Sequence, residues 1–213
     1  VAPRGWVLLS ADYSQIELRM LAHLSGDPAF IDAYQRGEDI HTRTARELLA
    51  GDEEVTAEMR RRAKAINFGI VYGQSAFRLG QDLGIGTKQA KEYLATYFDR
   101  YPGIRTFIDT TMEQARKQGY VSTICGRRRY LTDIHSNNHN LRAQAERMAV
   151  NTTIQGSAAD LIKLAMLKLH AALRDNGFKA RMVLQVHDEL VLEVPEAERL
   201  EVLELTTSCM EDV

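Results

Sequence analysis

Two aspartates lie where predicted strands end, and these residues have the clearest chemical potential in the sequence. Asp12 follows the apolar stretch Trp6–Ala11. Asp188 lies in the turn between two alternating stretches, residues 179–186 and 189–194. Carboxylates suit hard divalent cations, and two such ions about 3.5–4 Å apart can assist phosphoryl transfer. Each residue also has an ordinary interpretation, Asp12 as a helix cap or turn former and Asp188 as a solvated turn residue.

A stripe of cations and aromatic rings runs along the helix that we predict from Thr56 to Tyr72. Residues four positions apart are rotated by only about 40° on a helix, so four of them share a stripe roughly 120° wide. A purely structural helix would place Leu and Ile on its buried stripe. This stripe instead suits a ligand with a polyphosphate at one end and a flat ring at the other. The alternative interpretation is a helix whose basic first turns are solvated and whose later aromatic residues pack in the core. The members are Arg60, Lys64, Phe68 and Tyr72.

Acidic and histidine neighbours of the two aspartates carry weaker signals. Glu17 follows Ser14 by three residues, a spacing that a helix capping box explains without any ligand. The C-terminal hairpin turn holds His187 and Glu189 on either side of Asp188. Two-residue hairpin turns favour Asn-Gly or Asp-Gly, so the acids here invite metal or phosphate chemistry. Adjacent acids at a turn are also commonly just solvated.

Further polar residues fall on predicted helices. Arg147, Asn151 and Gln155 lie at i, i+4 and i+8, which places them on one helical face. A solvated polar face would explain this pattern equally well. His41 lies at the start of the helix predicted over residues 40–50, where an ordinary polar residue and a ligand-binding residue are equally expected.

Hydrophobic periodicity predicts the elements that position these residues. A buried strand ends at Asp12, and many helices follow before the alternating hairpin at 181–194 and a last helix from Glu196. This order is typical of an α+β fold with a small antiparallel sheet. The predicted helices cover residues 14–26, 28–37, 40–50, 56–72, 87–100, 103–118 and 138–176, with a small hairpin at 120–129 and a break or bend at Gly156.

Composition bounds the classes of protein that fit. No apolar run approaches the roughly 18–20 residues that a membrane span needs. The two cysteines, Cys125 and Cys209, are far apart and lie in no metal-ligand spacing, so we expect a reduced, cytoplasmic protein. The formal net charge is −2, so only local clusters such as residues 60–64 and 127–129 could bind a polyanion. The chain starts without methionine and stops within a predicted helix, so we expect a piece of a longer protein.

Three segments, in this order and spacing, resemble the three motifs of family A DNA polymerases, and most closely those of the bacterial DNA polymerase I branch. Asp12–Arg19 is similar to motif A, Arg60–Gly73 to motif B and Val186–Glu189 to motif C. The resemblance covers essentially the whole chain. It implies a right-hand polymerase, with a palm built on a small antiparallel sheet and mostly helical fingers. The implied bounds are palm for 1–26 and 136–213, including the motif C hairpin at 181–194, and fingers mainly for 27–135, including the motif B helix at 56–73, with the palm truncated at both ends.

The resemblance also implies an activity. It is that of a DNA-directed DNA polymerase, a nucleotidyltransferase that adds deoxynucleotides to a primer 3′-hydroxyl in DNA replication and repair and releases pyrophosphate. The implied cofactor is a pair of Mg²⁺ ions held by Asp12 and Asp188, with Glu189 as an auxiliary acid. The implied partners are primer–template DNA and dNTPs. A monomer in the bacterial cytoplasm, without membrane attachment, is expected.

Residue roles follow from the same resemblance. Lys64 would lie against the α-phosphate, and Arg60 and His41 would hold the β- and γ-phosphates. Glu17 and Tyr72 would close the space that a ribose 2′-hydroxyl needs. The remaining implied contacts are Phe68 on the nucleotide sugar, Tyr72 near the templating position, Arg147, Asn151 and Gln155 on the primer–template, His187 at the primer end, and Arg127–Arg129 on DNA phosphates or in solvent.

Two alternatives remain open at this stage. A phage or translesion polymerase of the same family would share the three motifs, although Phe68 and the lack of long insertions favour the bacterial branch. A non-catalytic DNA-binding module derived from a polymerase would be expected to lack one metal-binding aspartate, and both Asp12 and Asp188 are present.

Overall fold

A computed structural model describes residues 2–51 and 53–213 and confirms the α+β class. Val1 and Asp52, which fall in the predicted palm and fingers segments, lie outside the described residues. The chain divides into two compact units, one made of residues 1–16 and 157–213 and the other of residues 17–156. The palm and fingers bounds stay a prediction.

The elements follow the predicted order. They are β1 (Trp6–Asp12), α1 (Ile16–Ser25), α2 (Pro28–Gln35), α3 (Ile40–Ala45) continued by a π-helical turn (Arg46–Ala50), α4 (Ala57–Val71), α5 (Ala76–Leu83), α6 (Thr87–Arg100), α7 (Pro102–Gln118), β2 (Tyr120–Ser122), β3 (Arg128–Tyr130), α8 (His139–Asp175), β4 (Arg181–Val186), β5 (Glu189–Pro195), a 3₁₀ turn (Glu196–Glu198) and α9 (Arg199–Glu211).

The first unit is built on a three-stranded antiparallel sheet in the order β1-β5-β4. Alternate residues of the central strand β5 are buried, namely Leu190, Leu192 and Val194, which is the period-two pattern of a half-buried strand. These side chains pack with Ile162 and Leu169 of α8 in one hydrophobic core. The C-terminal part of α8 therefore covers one face of the sheet and fixes the strands whose ends carry Asp12 and Asp188.

Helix caps explain most helix starts in the second unit. Thr56 accepts a hydrogen bond from the backbone N–H of Met59 and starts α4 as predicted. Asp27 is fully buried; its Oδ1 caps α2, and its Oδ2 accepts a 2.9 Å hydrogen bond from the backbone N–H of Gly103 in the first turn of α7. One carboxylate thus joins two helix starts.

Several helix boundaries differ from the sequence prediction, and one helix was not predicted. Helix α1 begins at Ile16 rather than Ser14, and α4 ends at Val71, which makes Tyr72 its C-cap. Helix α5 was not predicted at all. It has only eight residues, but Ser75 caps its start and Gly84, with φ of 66°, ends it. These two residues were the sequence signal for it.

Of the break or bend predicted at Gly156, the break is wrong and the bend stays a prediction. Helix α8 runs from His139 to Asp175 without interruption. A Cβ at position 156 would lie 2.6 Å from the Cγ2 of Thr123, closer than real Cβ contacts allow. Glycine is therefore required for the close approach of the segment after β2, and the low helix propensity of one glycine is offset by the long helix around it.

Among the described residues, no helix is long and apolar enough to span a bilayer.

Candidate active site

Asp12 and Asp188 lie side by side at one end of the sheet. Asp12 is the last residue of β1 and pairs in register with Glu189, the first residue of β5. The backbone N–H of Tyr13 donates a 3.2 Å hydrogen bond to the carbonyl of Asp188. The two aspartate side chains are themselves within hydrogen-bonding reach. Strand pairing therefore brings together two carboxylates that are far apart in sequence.

The three acids repel one another. Partial burial, and then the negative charges of Asp188 and Glu189, raise the pKa of Asp12 above its ordinary value. Ser10 also donates a 2.5 Å hydrogen bond to Oε1 of Glu189 across the β1–β5 pair, which holds this side chain in place. An acid cluster of this kind is destabilised without a nearby positive charge, and a divalent cation would supply that charge.

The carboxylates of Asp12 and Asp188 suit Mg²⁺ better than they suit a metal ion whose ligands all come from the protein. The described residues contain no group of three or more His, Cys, Asp or Glu side chains arranged to hold a metal ion by themselves. Mg²⁺ commonly binds through one or two carboxylates and completes its coordination with water and substrate phosphates. A pair of neighbouring carboxylates is therefore sufficient for a site that a phosphate-bearing substrate completes.

In the second unit, Arg60 is held by Asp39. The Nε and Nη2 atoms of Arg60 donate hydrogen bonds of 3.1 and 2.8 Å to the two carboxylate oxygens. Asp39 also caps α3, because it accepts a 2.7 Å hydrogen bond from the backbone N–H of Thr42. Although burial alone would raise the pKa of Asp39, the hydrogen bonds from Arg60 and Thr42 hold it well below its usual range. Asp39 was not singled out from the sequence.

The aromatic end of the predicted stripe is assembled around His41. The ring of Phe68 lies 5.9 Å from that of His41 and stacks on Tyr72 at 6.0 Å, with an interplanar angle of 23°. His41 is 2% exposed. Burial, and then the cations Arg60 and Lys64, lower its pKa to about 4, against the opposing effect of Asp39. His41, Arg60, Lys64, Phe68 and Tyr72 therefore form one local group.

Comparison with known proteins defines the family. The model of DNA polymerase family A matches residues 1–213. DNA polymerase I of Streptococcus pneumoniae serotype 4 is 53% identical over 208 residues, 97% of this chain and 24% of that protein. The thermostable DNA polymerase I of Thermus thermophilus is 51% identical over 212 residues, 99% of this chain and 25% of that protein. A solved structure, the POL domain of Pol1 from M. smegmatis in complex with DNA primer-template and dNTP, has a TM-score of 0.94 and 46% identity over 99% of this chain and 37% of that chain.

The chain belongs to DNA polymerase family A.

The resemblance to the bacterial DNA polymerase I branch of family A is confirmed by these relatives. The chain spans about a quarter of the length of the curated family A relatives that it matches. The structural likeness also confirms the predicted fold class, an α+β polymerase segment.

The polar stripe of this family A chain lies on α8, as predicted. Arg147 lies beside the end of the motif B segment, because a Cβ at Gly73 would be 3.0 Å from the Cγ of Arg147. Gly73 also has φ of 61°, which favours glycine. Asn151 has a buried Oδ1 with no hydrogen-bond partner among the described residues. Such an acceptor is costly when it stays unpaired, so a ligand donor would be favourable there.

The basic run 127–129 ties a hairpin to a helix. Arg127 donates a 3.1 Å hydrogen bond to the carbonyl of Gly156, and Arg129 donates one of 3.2 Å to the hydroxyl of Thr152. The guanidinium of Arg128 lies 4.7 Å from the ring centre of Tyr120. These contacts give the run a structural role that the sequence did not reveal. Contact with DNA phosphates stays a prediction for it.

Glu17 and His187 are the two remaining residues for which the resemblance implies a role. Glu17 is the second residue of α1 and partly buried. His187 is exposed in the β4–β5 turn with φ of 53°, and its carbonyl accepts a 2.7 Å hydrogen bond from Gln185. A non-glycine residue with positive φ is uncommon and marks a constrained turn. The implied contacts of both residues stay predictions.

Sequence reasoning missed the role of Asn67, although it lies within motif B. This residue is fully buried and contacts both His41 and Thr44. The available signal was a polar side chain within an otherwise apolar buried helix face, since a buried amide needs hydrogen-bond partners.

Proposed function

We propose that the full-length protein containing this chain is a template-directed DNA polymerase that acts in replication and repair. It would transfer a deoxynucleotide from a dNTP to a primer 3′-hydroxyl and release pyrophosphate. The observation that carries the proposal is the proximity of Asp12 and Asp188 at the end of the sheet, where Asp12 pairs in register with Glu189, the residue after Asp188. Membership of family A and the structural likeness to a polymerase domain support it.

Asp12 and Asp188 would hold two Mg²⁺ ions. When bound, such ions supply charge neutralisation at the attacking and leaving oxygens of the transfer. The protein contributes the fixed separation of its two carboxylates, because one lies on a strand end and the other in the paired turn. Glu189, fixed by Ser10, would raise the negative potential that draws cations to this end of the sheet.

Cations of α4 would hold the triphosphate. Lys64 is exposed and lies one helical turn after Arg60, so both side chains project from the same face. Lys64 would stabilise charge at the α-phosphate, whereas Arg60 and His41 would hold the β- and γ-phosphates. The pair of Arg60 with Asp39 engages the Nε and Nη2 atoms and leaves Nη1 for phosphate.

Selection of the correct sugar would fall to three residues. Phe68 would pack on the deoxyribose. Glu17 and Tyr72 would close the space around the 2′ position and so reject ribonucleotides by steric exclusion. The stack of Phe68 on Tyr72 supports this, because it fixes the orientation of both rings.

Donors on α8 would contact the primer–template. The minor groove presents acceptors at similar positions in every Watson–Crick pair, so Arg147, Asn151 and Gln155 could test pairing geometry without reading sequence. His187 would support the primer end. The M. smegmatis relative was solved with primer-template and dNTP, which supports the same partners here.

We further propose that the full-length protein is a cytoplasmic monomer, with palm at 1–26 and 136–213 and fingers mainly at 27–135.

The experiment is primer extension by the full-length protein and by its Asp188→Ala variant. Extension should fall by several orders of magnitude, while the affinity for primer–template stays within about threefold, because the substitution removes a metal ligand and leaves the α8 donors intact. Asp175→Ala, which changes an exposed acid at the end of α8, is the matched control and should keep full activity. Full extension by Asp188→Ala would refute the proposal.

A further inference from the structure

A buried hydrogen-bond network links helices α3 and α4 behind His41. Asn67 of α4 donates from Nδ2 to Thr44 Oγ1 at 3.1 Å, and the same amide nitrogen lies 3.1 Å from Nδ1 of His41. The Oγ1 atom of Thr44 also lies 3.2 Å from Oδ1 of Asn67, to which the threonine hydroxyl can donate a hydrogen bond. Asn67 and Thr44 are fully buried and His41 is 2% exposed. Solvent therefore does not replace these contacts.

The amide orientation determines which nitrogen of His41 carries the proton. An amide N–H group can only donate, so Nδ1 of His41 must accept with its lone pair. The ring proton then lies on Nε2, which makes no hydrogen bond within the described part of the chain. A doubly protonated ring would direct its Nδ1–H group against the amide N–H of Asn67 that faces it, and neither of these two N–H groups would have an acceptor.

Charges around the ring also favour its neutral form. Arg60 and Lys64 of α4 disfavour a third positive charge, and of the charged groups acting on His41 only Asp39, already paired with Arg60, opposes them. Together with burial they lower the pKa of His41 to about 4. The geometry of the network and the local charges thus point to the same protonation state.

We propose that Asn67 is a positioning residue that keeps His41 neutral with its proton on Nε2, so that His41 offers the nucleotide triphosphate a hydrogen-bond donor without a positive charge. The inference rests on the proposed role of His41 at the β- and γ-phosphates. The charge that holds the triphosphate then comes from Arg60 and Lys64 alone. Nucleotide binding should consequently show no histidine titration around neutral pH, where an ordinary histidine would change its charge.

The first test compares KM for dNTP between pH 6 and 9 in primer extension by the full-length protein. His41→Ala should raise KM at least fivefold with a smaller change in kcat, and His41→Gln should recover most of that loss, because its amide also donates without charge. The ratio of the wild-type KM to the His41→Gln KM should be constant over this pH range. Titration of the triphosphate itself cancels in the ratio.

Asn67→Asp is the informative variant. A carboxylate beside Nδ1 accepts a hydrogen bond from the ring N–H, and its negative charge raises the pKa of His41 toward neutrality. Below that pKa the imidazolium still donates from Nε2, but above it Nε2 becomes an acceptor that faces phosphate. The KM of Asn67→Asp relative to the Asn67→Asp/His41→Gln double variant should therefore rise at least fivefold from pH 6 to 9. A constant ratio would overturn the inference.

A second measurement does not depend on how an Asn67 variant folds. Nitrogen-15 spectra of the wild-type full-length protein, labelled on histidine and assigned by the signal lost in His41→Gln, should show a protonated Nε2 and an unprotonated Nδ1 from pH 6 to 9. The opposite tautomer or an imidazolium would overturn the inference. If His41→Ala leaves KM unchanged while the tautomer is as proposed, the phosphate-binding role of His41 fails and the positioning by Asn67 stands.

Discussion

His41 shows how a side chain that titrates near neutrality in water can be held neutral in a fold. Its ring is packed against Phe68, contacted by Asn67 and surrounded by more positive than negative charge. This environment has a consequence for stability that does not require any ligand. Between the two pKa values of this histidine, the unfolded chain binds more protons than the folded one.

The predicted pH dependence follows from that difference. The pKa of His41 falls from about 6.5 in the unfolded chain to about 4 in the folded protein. The stabilising effect of the neutral ring is therefore complete above pH 6.5 and is lost as pH falls from 6.5 to 4, by up to about 3 kcal/mol. Chemical denaturation at several pH values measures it. His41→Gln should lose this pH-dependent part of the free energy of unfolding. His23→Gln changes an exposed histidine on α1 and should keep it. Equal slopes of the free energy of unfolding against pH in the wild type and both variants would contradict the account.

Phe68 carries a second prediction at the residue scale. Its ring stacks on Tyr72, lies tilted against His41 and has no polar atom to offer a nucleotide sugar. We expect Phe68→Tyr to raise incorporation of dideoxynucleotides relative to deoxynucleotides by at least about tenfold, because the added hydroxyl can supply a hydrogen bond that the missing 3′-hydroxyl no longer makes. Competition assays of single-nucleotide addition measure this ratio. Phe77→Tyr on α5, where the ring is 61% exposed, is the matched control, and an unchanged ratio in Phe68→Tyr would show that the ring does not contact the sugar.

Elements were predictable where local chemistry determined their ends. Thr56 caps the helix that it was expected to start, Asp27 caps the helix predicted from residue 28, and the period-two pattern of residues 189–194 identified β5. The short α5 was missed because eight residues give little periodicity. The π-helical turn at 46–50 was missed because its hydrogen-bond spacing leaves no pattern in the sequence.

The candidate site was predictable only where local sequence signals marked its residues. Asp12 and Asp188 were identified from strand ends and from the family motifs, and antiparallel pairing of β1 with β5 then placed them together. The roles of Asp39 and Asn67 were missed because they depend on contacts between different segments of the chain. A single sequence does not indicate which buried polar residue faces which partner.

Gly156 gives a prediction at the scale of elements. Ala in its place would improve helix propensity by up to about 1 kcal/mol but would put a Cβ 2.6 Å from the Thr123 methyl group. We expect Gly156→Ala to lower the free energy of unfolding by about 1–3 kcal/mol, the usual cost of overpacking. Thermal and chemical denaturation measure the change.

The control for this prediction is a second substitution at the contact. Thr123→Ser removes the methyl group and keeps the hydroxyl that accepts a hydrogen bond from the backbone N–H of Arg127. The double variant Gly156→Ala/Thr123→Ser should therefore be more stable than Gly156→Ala alone. If the two substitutions are simply additive, the steric contact is not what requires glycine at this position.

At the scale of the whole molecule, each compact unit carries a different part of the proposed chemistry. The unit built from residues 1–16 and 157–213 contains the neighbouring carboxylates Asp12 and Asp188 together with His187, and the unit of residues 17–156 contains the residues proposed to bind the triphosphate and most of those proposed to contact DNA. The net charge of −2 fits this division, because cations are concentrated locally and the carboxylate site needs negative potential.

The most direct test of the account is a Mn²⁺ titration of the full-length protein, followed by electron paramagnetic resonance. Mn²⁺ prefers the same oxygen ligands as Mg²⁺. With a dideoxy-terminated primer–template and the next dNTP bound, the wild type should hold two ions, and Asp188→Asn should bind them at least tenfold more weakly or lose one. Asp175→Asn should behave as the wild type. Two ions bound by Asp188→Asn with wild-type affinity would contradict the claim that the Asp12–Asp188 pair holds the metals.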